Sequence, residues 1–226
     1  MNYWDGIDSR ALSILLRLND VGLLKSFYLS GGSGLAIQLG HRVSLDLDLF
    51  TERRATDIPA ANLLAQCKKH FGTTQVKTNV NTSDQLWLEI NGVKVTFLAF
   101  PYPHKYPLLP NEKGVPLADA RDIAAQKALA IGERSTARDY VDLAWILRKG
   151  IATLEQIIAD ASEIFVLDKE KVFSLRLFLQ QLVYTNDLRD IKDTVKMLHT
   201  QENFTVIASE LVNAVSKTTQ KLLPKT

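Results

Sequence analysis

Residues 31–50 read GGSGLAIQLGHRVSLDLDLF and place two aspartates in a segment that otherwise has the pattern of a buried strand. Residues 43–50 alternate strictly between apolar and other side chains, with Val43, Leu45, Leu47 and Leu49 as the apolar set. Because side chains repeat every two residues along a strand, Asp46 and Asp48 are expected to project from the same face. Unpaired carboxylates there would repel each other, so the pattern predicts that something positive meets them.

Asp46 and Asp48 are therefore the predicted metal ligands. They are expected to lie close enough to share one divalent cation or to bridge two. Mg²⁺ takes oxygen ligands and is usually held by one or two carboxylates together with substrate phosphates. We expect Mg²⁺, or Mn²⁺ in its place, as the cofactor.

Gly31, Gly32 and Ser33 form a predicted turn that leads into a short helix ending at Gly40. Such a turn supplies backbone N–H groups and a hydroxyl for phosphate oxygens at the positive end of a helix. Ser44 is expected on the same face as the aspartates. Glycine pairs and paired aspartates are each common as structural features, and it is their order along the chain that favours a phosphate and metal site.

These residues resemble the first motif of nucleotidyltransferases of the DNA polymerase β superfamily, in which Gly-Ser precedes an Asp-x-Asp pair. The stretch is more narrowly similar to the AbiEii-type toxins of bacterial abortive-infection and toxin–antitoxin systems. The pattern there is Gly-Gly-(Ser/Thr), a helix, and His/Arg-x-Ser-x-Asp-x-Asp-Leu/Phe-Phe. The matching positions are Arg42, Ser44, Asp46, Asp48 and Phe50.

A second stretch, DIAAQKALAIGERSTARDYVDLAWIL at 122–147, resembles the Lys-x-x-Ala…Arg-x-x-x-Arg-Asp-x-x-Asp-Leu pattern of the same branch. The resemblance implies that Lys127 contacts the triphosphate and that Asp142 supports the site, so both are candidate catalytic residues. Asp142 also interrupts an apolar run one turn after Arg138, which predicts a partly buried carboxylate paired with Arg138 or Lys127. A helix–helix ion pair without a catalytic role explains Asp142 equally well.

Arg134 and Arg138 are candidate substrate-binding residues. They suit phosphates or an acceptor nucleic acid, and they would also be ordinary on a solvated helix surface. Asp139 falls in the first turn of the predicted helix behind Thr136, where a carboxylate complements the helix dipole.

The resemblance also implies a third carboxylate on a neighbouring strand, and at that position the chain has Thr96. Threonine cannot act as a general base or replace the charge of a carboxylate. Three alternatives follow: Glu89 approaches from the preceding strand, Asp142 supplies the acid, or the protein is a weak or inactive member.

The predicted fold class is α+β, with a small mixed-sheet nucleotidyltransferase lobe and flanking helices at residues 1–110 and an all-helical lobe at 111–226. The proline-rich connector at 101–110 marks the boundary. Asn91-Gly92 predicts a tight hairpin. Predicted strands are 26–29, 43–50, 73–80, 85–90 and 93–100, and predicted helices are 7–25, 57–71 (opened by Asp57 and Pro59), 118–132, 136–149, 153–165, 169–184, 187–199 and 203–222.

Composition narrows the class of protein. Apolar residues make up 46% of the chain and charged residues 23%, which is ordinary for a globular protein. The net charge of +2 does not identify a nucleic-acid binder. Cys67 is the single cysteine, so the chain has no intrachain disulfide and no multi-cysteine metal site. The polar start and the lack of a long apolar run lead us to expect a cytoplasmic protein with no membrane partner.

Together the two motifs identify the chain as a member of the AbiEii-type family. The resemblance implies a metal-dependent nucleotidyltransferase that transfers NMP from an NTP to an acceptor hydroxyl on RNA, with tRNA as the expected acceptor, and a toxin with a cognate antitoxin whose physical complex is not assumed. Two alternatives remain open: a small-molecule (antibiotic) nucleotidyltransferase, and a catalytically degenerate domain that binds a nucleotide or a protein partner.

Overall fold

The computed structural model describes residues 2–52, 58–134 and 136–222. The chain divides into two compact units, unit 1 at Met1–Asp119 and unit 2 at Ala120–Thr226. The division falls after Asp119, not after residue 110 as the prolines predicted, because residues beyond the connector still pair within unit 1. Leu117 bridges Leu29 and Leu109, and the N–H of Leu29 donates to the carbonyl of Pro116 over 2.7 Å.

Unit 1 contains a five-stranded mixed sheet, as predicted. Its strands are β1 (Tyr28–Leu29), β2 (Leu47–Thr51), β3 (Val76–Asn81), β4 (Gln85–Ile90) and β5 (Val93–Ala99), in the order β1-β2-β5-β4-β3. The β2–β5 pair is parallel and the other neighbours are antiparallel. The described helices of this unit are α1 (Ser9–Asp20), α2 (Gly31–Leu39) and α3 (Ala60–Phe71). Asp57, the predicted start of the third helix, lies outside the described residues.

The hairpin predicted at Asn91-Gly92 is confirmed. Both residues have positive φ, 50° and 78°, and Ile90 pairs with Val93 across the turn. Two positive φ angles in a two-residue turn match the right-handed twist of the flanking strands. The hairpin thereby fixes which residues of β4 lie opposite which residues of β5.

The strand predicted from residue 43 begins only at Leu47. Ser44 instead bridges Ile7, with its N–H donating to Gly6 over 2.8 Å and its carbonyl accepting from Asp8 over 2.9 Å. The alternation is broken here, since Leu45, expected in the core, is 40% exposed. Asp46 therefore immediately precedes β2, and Asp48 lies within it.

The two faces of the sheet differ in composition. Leu47, Leu49, Val95 and Phe97 are fully buried on one face, in a cluster with apolar residues of α1 and α3. The register places Asp48 opposite Thr96 and Thr96 opposite Trp87. Since side chains alternate along strands, these three residues form a polar row on the face opposite the core.

Unit 2 is mainly helical and includes a short hairpin that the sequence did not predict. Its helices are α4 (Ala120–Glu133), α5 (Ala137–Arg148), α6 (Leu154–Ile164), α7 (Leu175–Val183), α8 (Ile191–Lys196) and α9 (Phe204–Leu222), and its strands are β6 (Val166–Leu167) and β7 (Glu170–Lys171). The helix predicted at 169–184 is wrong in its first part, because Asp168 and Lys169 turn the hairpin with φ of 50° and 71°.

Candidate functional site

The residues predicted from sequence fall into two groups, one in each unit. The aspartate group in unit 1 comprises Gly31, Gly32, Ser33, Ser44, Asp46 and Asp48. The second group, in unit 2, comprises Lys127, Arg134, Arg138 and Asp142. Each group contains side chains that are distant in sequence but in contact in the structure. Ser33 contacts Ser44, 11 positions away, and Lys127 contacts Asp142, 15 positions away.

Gly31 lies directly against Asp48. The predicted Gly-Gly-Ser turn is in fact the first turn of α2, which begins at Gly31 and ends at the left-handed Gly40. Gly31 has φ of +58°, and a Cβ on it would lie 2.6 Å from Oδ2 of Asp48. The first N–H groups of a helix have no partner inside the helix. The geometry therefore sets a helix N-terminus, the usual binding place for phosphate, beside a carboxylate.

Gly32 lies against Arg42, a residue for which the sequence predicted no role. A Cβ on Gly32 would lie 2.3 Å from Nη2 of Arg42, and Arg42 is only 2% exposed. One of its N–H groups donates to the carbonyl of Val43 over 3.3 Å. A buried guanidinium beside the positive end of a helix is favourable only with negative charge nearby. Its place in the first motif was the only signal in the sequence.

Two serines connect α2 to the segment before β2. The Ser33 hydroxyl donates to the carbonyl of Asp46, and the hydroxyl oxygens of Ser33 and Ser44 lie 2.9 Å apart. Since Ser33 has one hydroxyl hydrogen, Ser44 is the donor in the second contact. Both serines are almost fully buried, at 1% and 4% exposure. Their hydroxyl groups hold the Asp46 backbone in place.

The two aspartates fit a magnesium ion that takes its other ligands from a substrate. Asp46 and Asp48 are both partly exposed, and carboxylate oxygens are the ligands that Mg²⁺ prefers. Within the described ranges, no group of three or more His, Cys, Asp or Glu side chains is arranged to hold a metal ion. Two carboxylates suit a cation whose remaining ligands are phosphate oxygens and water, and they do not suit an all-protein cage.

In unit 2, Lys127 is the cation that pairs with Asp142. Its Nζ lies 2.7 Å from Oδ2 of Asp142 and 2.7 Å from Oδ1 of Asp139. Asp142 is fully buried and Asp139 is 2% exposed. These three residues, here called the lysine cluster, join α4 to α5. Asp139 therefore does more than complement a helix dipole, and no local signal in the sequence indicated this.

The charges around Asp139 decide its protonation. Burial by itself raises the pKa of Asp139, but the charges of Lys127 and Arg134 and the hydrogen bonds from Lys127 and Thr136 outweigh it, and the pKa is lowered from its ordinary value. Nε of Arg134 lies 3.5 Å from Oδ2 of Asp139, while 67% of the Arg134 side chain is exposed. Asp139 is thus ionised at neutral pH.

Arg134 and Arg138 line a cavity of about 630 Å³ in unit 2 together with Arg189, which the sequence did not single out. The other lining residues are Glu133, Thr136, Gln181, Asp187 and Asp190. Asp190 accepts a hydrogen bond from the N–H of Ala137 over 2.9 Å and so caps α5. The cavity offers three guanidinium groups, and planar guanidinium groups suit phosphate recognition.

Solved structures, two of them described as nucleotidyltransferases, have the same fold. A putative nucleotidyltransferase from H. pylori matches with a TM-score of 0.53 at 19% identity, over 96% of this chain and 100% of its own. JHP933 from Helicobacter pylori matches with a TM-score of 0.54 at 19% identity, over 96% and 94%. MenT4, a nucleotidyltransferase toxin from Mycobacterium tuberculosis H37Rv, matches with 0.52 at 17% identity, over 92% and 86%. The fold is that of a nucleotidyltransferase.

The family follows from sequence. The model of the family described as nucleotidyl transferase AbiEii toxin, type IV toxin–antitoxin system, matches residues 13–222. The chain belongs to this AbiEii nucleotidyltransferase toxin family, as the two motifs predicted. An uncharacterised protein from Aquifex aeolicus (strain VF5) is 30% identical over 177 residues, which cover 78% of this chain and 82% of the relative. Among the described residues, no helix is long and apolar enough to span a membrane.

Proposed function

We propose that the aspartate group binds a nucleoside triphosphate with Mg²⁺ and transfers its NMP to a hydroxyl group. The observation that carries this proposal is the contact of Gly31 with Asp48, where a Cβ would lie 2.6 Å from the carboxylate. A helix N-terminus binds phosphate and a carboxylate binds Mg²⁺. Because the helix N-terminus and the carboxylate are in direct contact, they suit a ligand in which phosphate and Mg²⁺ are also adjacent. A metal–triphosphate complex is such a ligand.

The residues have distinct proposed roles in this transfer. N–H groups of Gly31, Gly32 and Ser33 bind phosphate oxygens, and Arg42 supplies positive charge beside them. Asp46 and Asp48 would hold the magnesium ion, and the bound ion would supply positive charge to offset that of the triphosphate. The acceptor oxygen forms a bond to the α-phosphorus, the bond from that phosphorus to the bridging oxygen breaks, and pyrophosphate leaves. The acceptor proton passes to solvent.

In unit 2, we assign phosphate binding to Lys127 and to the arginines of the cavity, with Asp142 as a positioning residue. Asp142 is fully buried and paired with Lys127, so its carboxylate orients the ammonium group and does not reach a substrate. Arg134, Arg138 and Arg189 line a cavity of a size that admits a nucleotide-sized group.

The proposed acceptor is RNA, and tRNA in particular. We propose a cognate antitoxin as the partner and the cytoplasm as the place of action.

The test is transfer of label from α-³²P nucleoside triphosphates, each supplied in turn with Mg²⁺ and total bacterial tRNA. Wild-type protein is expected to label RNA, and Asp46→Ala is expected to abolish labelling. Asp84→Ala is the matched control, since Asp84 is an exposed aspartate of unit 1 whose carboxylate accepts a hydrogen bond from the Thr82 hydroxyl over 2.7 Å. Failure to label RNA with any of the nucleotides contradicts the RNA acceptor. Labelling of an aminoglycoside in a parallel reaction would instead support the small-molecule acceptor.

Thr96 favours a second candidate function, binding of the nucleotide without transfer. It lies opposite Asp48 in the sheet, where a third carboxylate would act as general base. Equilibrium dialysis with a labelled nucleotide separates the two candidates. Tight binding that depends on Asp48, with no transfer to RNA or to any small acceptor, supports the degenerate domain.

A further inference from the structure

We propose that the aspartate group holds one divalent cation per bound nucleotide, because Thr96 occupies the position from which a second cation would need a ligand. This inference rests on the proposed function and goes further by fixing the number of cations. Two-metal sites hold their cations about 4 Å apart and stabilise both the attacking and the leaving oxygen. Such a pair requires carboxylate ligands on both sides, and among the described residues the neighbouring strand β5 presents Thr96 beside Asp48 in place of a carboxylate.

The register of the sheet puts a neutral side chain next to Asp48, on the neighbouring strand β5. Asp48 of β2 pairs with Thr96 of β5, and Thr96 pairs with Trp87 of β4. Thr96 is only 4% exposed, and its hydroxyl has no hydrogen-bond partner among the described residues. The indole N–H of Trp87 also lacks one there. A buried polar group normally has a hydrogen-bond partner. Thr96 and Trp87 are therefore expected to bind a neutral partner, such as a water molecule or an acceptor hydroxyl.

The acids that could replace a carboxylate at Thr96 are held elsewhere. Glu89 pairs with Lys77 of β3 over 2.9 Å, on the side of β4 that faces away from β2 in the strand order. Asp142 is fully buried against Lys127. In the part of the chain that the structure describes, no third acidic, histidine or cysteine side chain completes a metal-binding group. Neither alternative considered for the missing acid is therefore supported by the geometry.

The charge on this face also opposes a second cation. Lys94 lies two residues before Thr96 on β5 and so projects from the same face. Its Nζ lies 4.6 Å from the centre of the Trp87 ring, which holds the ammonium beside the polar row. Asp46 and Asp48 together carry the charge that balances one divalent cation. Glu89 lies opposite Lys94 in the register and projects from the same face, but its carboxylate is paired with Lys77 over 2.9 Å. A second cation would therefore meet a lysine, a neutral hydroxyl and a carboxylate that already has a partner.

The test counts Mn²⁺ ions bound per bound nucleotide, using equilibrium dialysis of the full chain with Mn²⁺ and α,β-methylene analogues of the four ribonucleoside triphosphates in turn. We expect a ratio of one for the wild type and the electron paramagnetic resonance signal of isolated Mn²⁺. Thr96→Asp is expected to bind a second Mn²⁺ at least about tenfold more tightly than the wild type does, with spin coupling between the two ions. Thr96→Val, which removes only the hydroxyl, is the matched control and keeps a ratio of one.

Each outcome decides the inference. A ratio of two in the wild type overturns it while leaving the proposed function in place. Bound nucleotide without Mn²⁺ overturns the metal-dependent function and, with it, this inference. If Thr96→Asp fails to fold, as circular dichroism would reveal, the ratios for the wild type and Thr96→Val still decide the question.

Discussion

The aspartate group and the lysine cluster both contain two carboxylates, yet their surroundings are opposite. Asp46 and Asp48 are partly exposed. Their contacts include a serine hydroxyl that donates to the Asp46 carbonyl and the packing of Gly31 on Asp48. Asp139 and Asp142 are buried, and both bind the ammonium of Lys127 over 2.7 Å. The first pair reaches solvent, while the second is buried around a lysine.

This difference indicates what each pair of carboxylates contributes. A buried charge that loses its partner is strongly destabilising, since it stays in a medium of low dielectric without compensation. A partly exposed carboxylate is solvated, so its removal changes the stability little. We therefore expect substitutions in the aspartate group to change transfer without changing folding, and substitutions in the lysine cluster to change folding first.

The largest expected effect is on transfer by Asp48→Asn. Loss of a metal-binding carboxylate next to the phosphate site is expected to lower nucleotide transfer by at least about 10³-fold. The free energy of unfolding should stay within about 0.5 kcal/mol of the wild type. Initial rates of RNA labelling and urea denaturation of the same preparations measure the two quantities. If Asp48→Asn lost stability in proportion to activity, Asp48 would stabilise the fold as Asp142 does, and the two pairs of carboxylates would not differ in role.

The next largest effect is expected on stability, from Asp142→Ala. This change leaves Lys127 with one carboxylate in place of two, in a site where Asp142 is fully buried. Breaking a buried ion pair costs about 3–5 kcal/mol, which urea denaturation measures directly. Asp193→Ala is the control, because Asp193 pairs with Lys196 on an exposed surface. Unchanged stability with abolished transfer would instead mean that the Asp142 carboxylate acts on a substrate.

The sequence predicted the parts of the fold that local chemistry determines. Asn91-Gly92 requires positive φ angles that few other dipeptides adopt, so the hairpin was predictable. The position of Thr96 on a strand beside Asp48 followed from the motif resemblance, whereas the parallel direction of the β2–β5 pair was not predicted. The break at Leu45 was not predictable, because the pairing of Ser44 with Ile7 joins residues far apart in sequence. Long-range pairing of this kind leaves no periodic signal.

The burial of charged side chains was the other feature that the sequence predicted only in part. Asp142 interrupts an apolar run, so its burial was expected, and the candidates for its partner included Lys127. Asp139 lies in the first turn of α5, where any carboxylate is favourable, and nothing local distinguishes a buried residue there from an exposed one. Arg42 is likewise an ordinary polar residue in a loop until Gly32 is seen to lie against it.

A smaller effect is expected on the pH dependence of stability. The pKa of Asp139 is lowered by Lys127 and Arg134 against the effect of burial, so the unfolded chain binds the proton more readily than the folded one. The stabilisation from Asp139 is therefore complete above its ordinary pKa and is lost as the pH falls through the lowered folded value. The difference in unfolding free energy between wild type and Asp139→Asn should shrink from pH 5 towards pH 2. A difference that grew in acid would contradict the ionised state.

The smallest effect is expected from Ser33→Ala, and it separates the two roles that a serine in this motif can have. The Ser33 hydroxyl donates to the carbonyl of Asp46 and is buried, so its removal should cost about 1 kcal/mol in unfolding free energy. Transfer should fall less than tenfold, because the backbone N–H of Ser33 remains for phosphate. Ser44→Ala is the matched variant, since it removes the neighbouring hydroxyl and leaves that hydrogen bond intact. If Ser33→Ala alone lowered transfer by about 10²-fold at unchanged stability, the hydroxyl would bind the nucleotide directly. The aspartate group would then present side chains as well as backbone to its ligand.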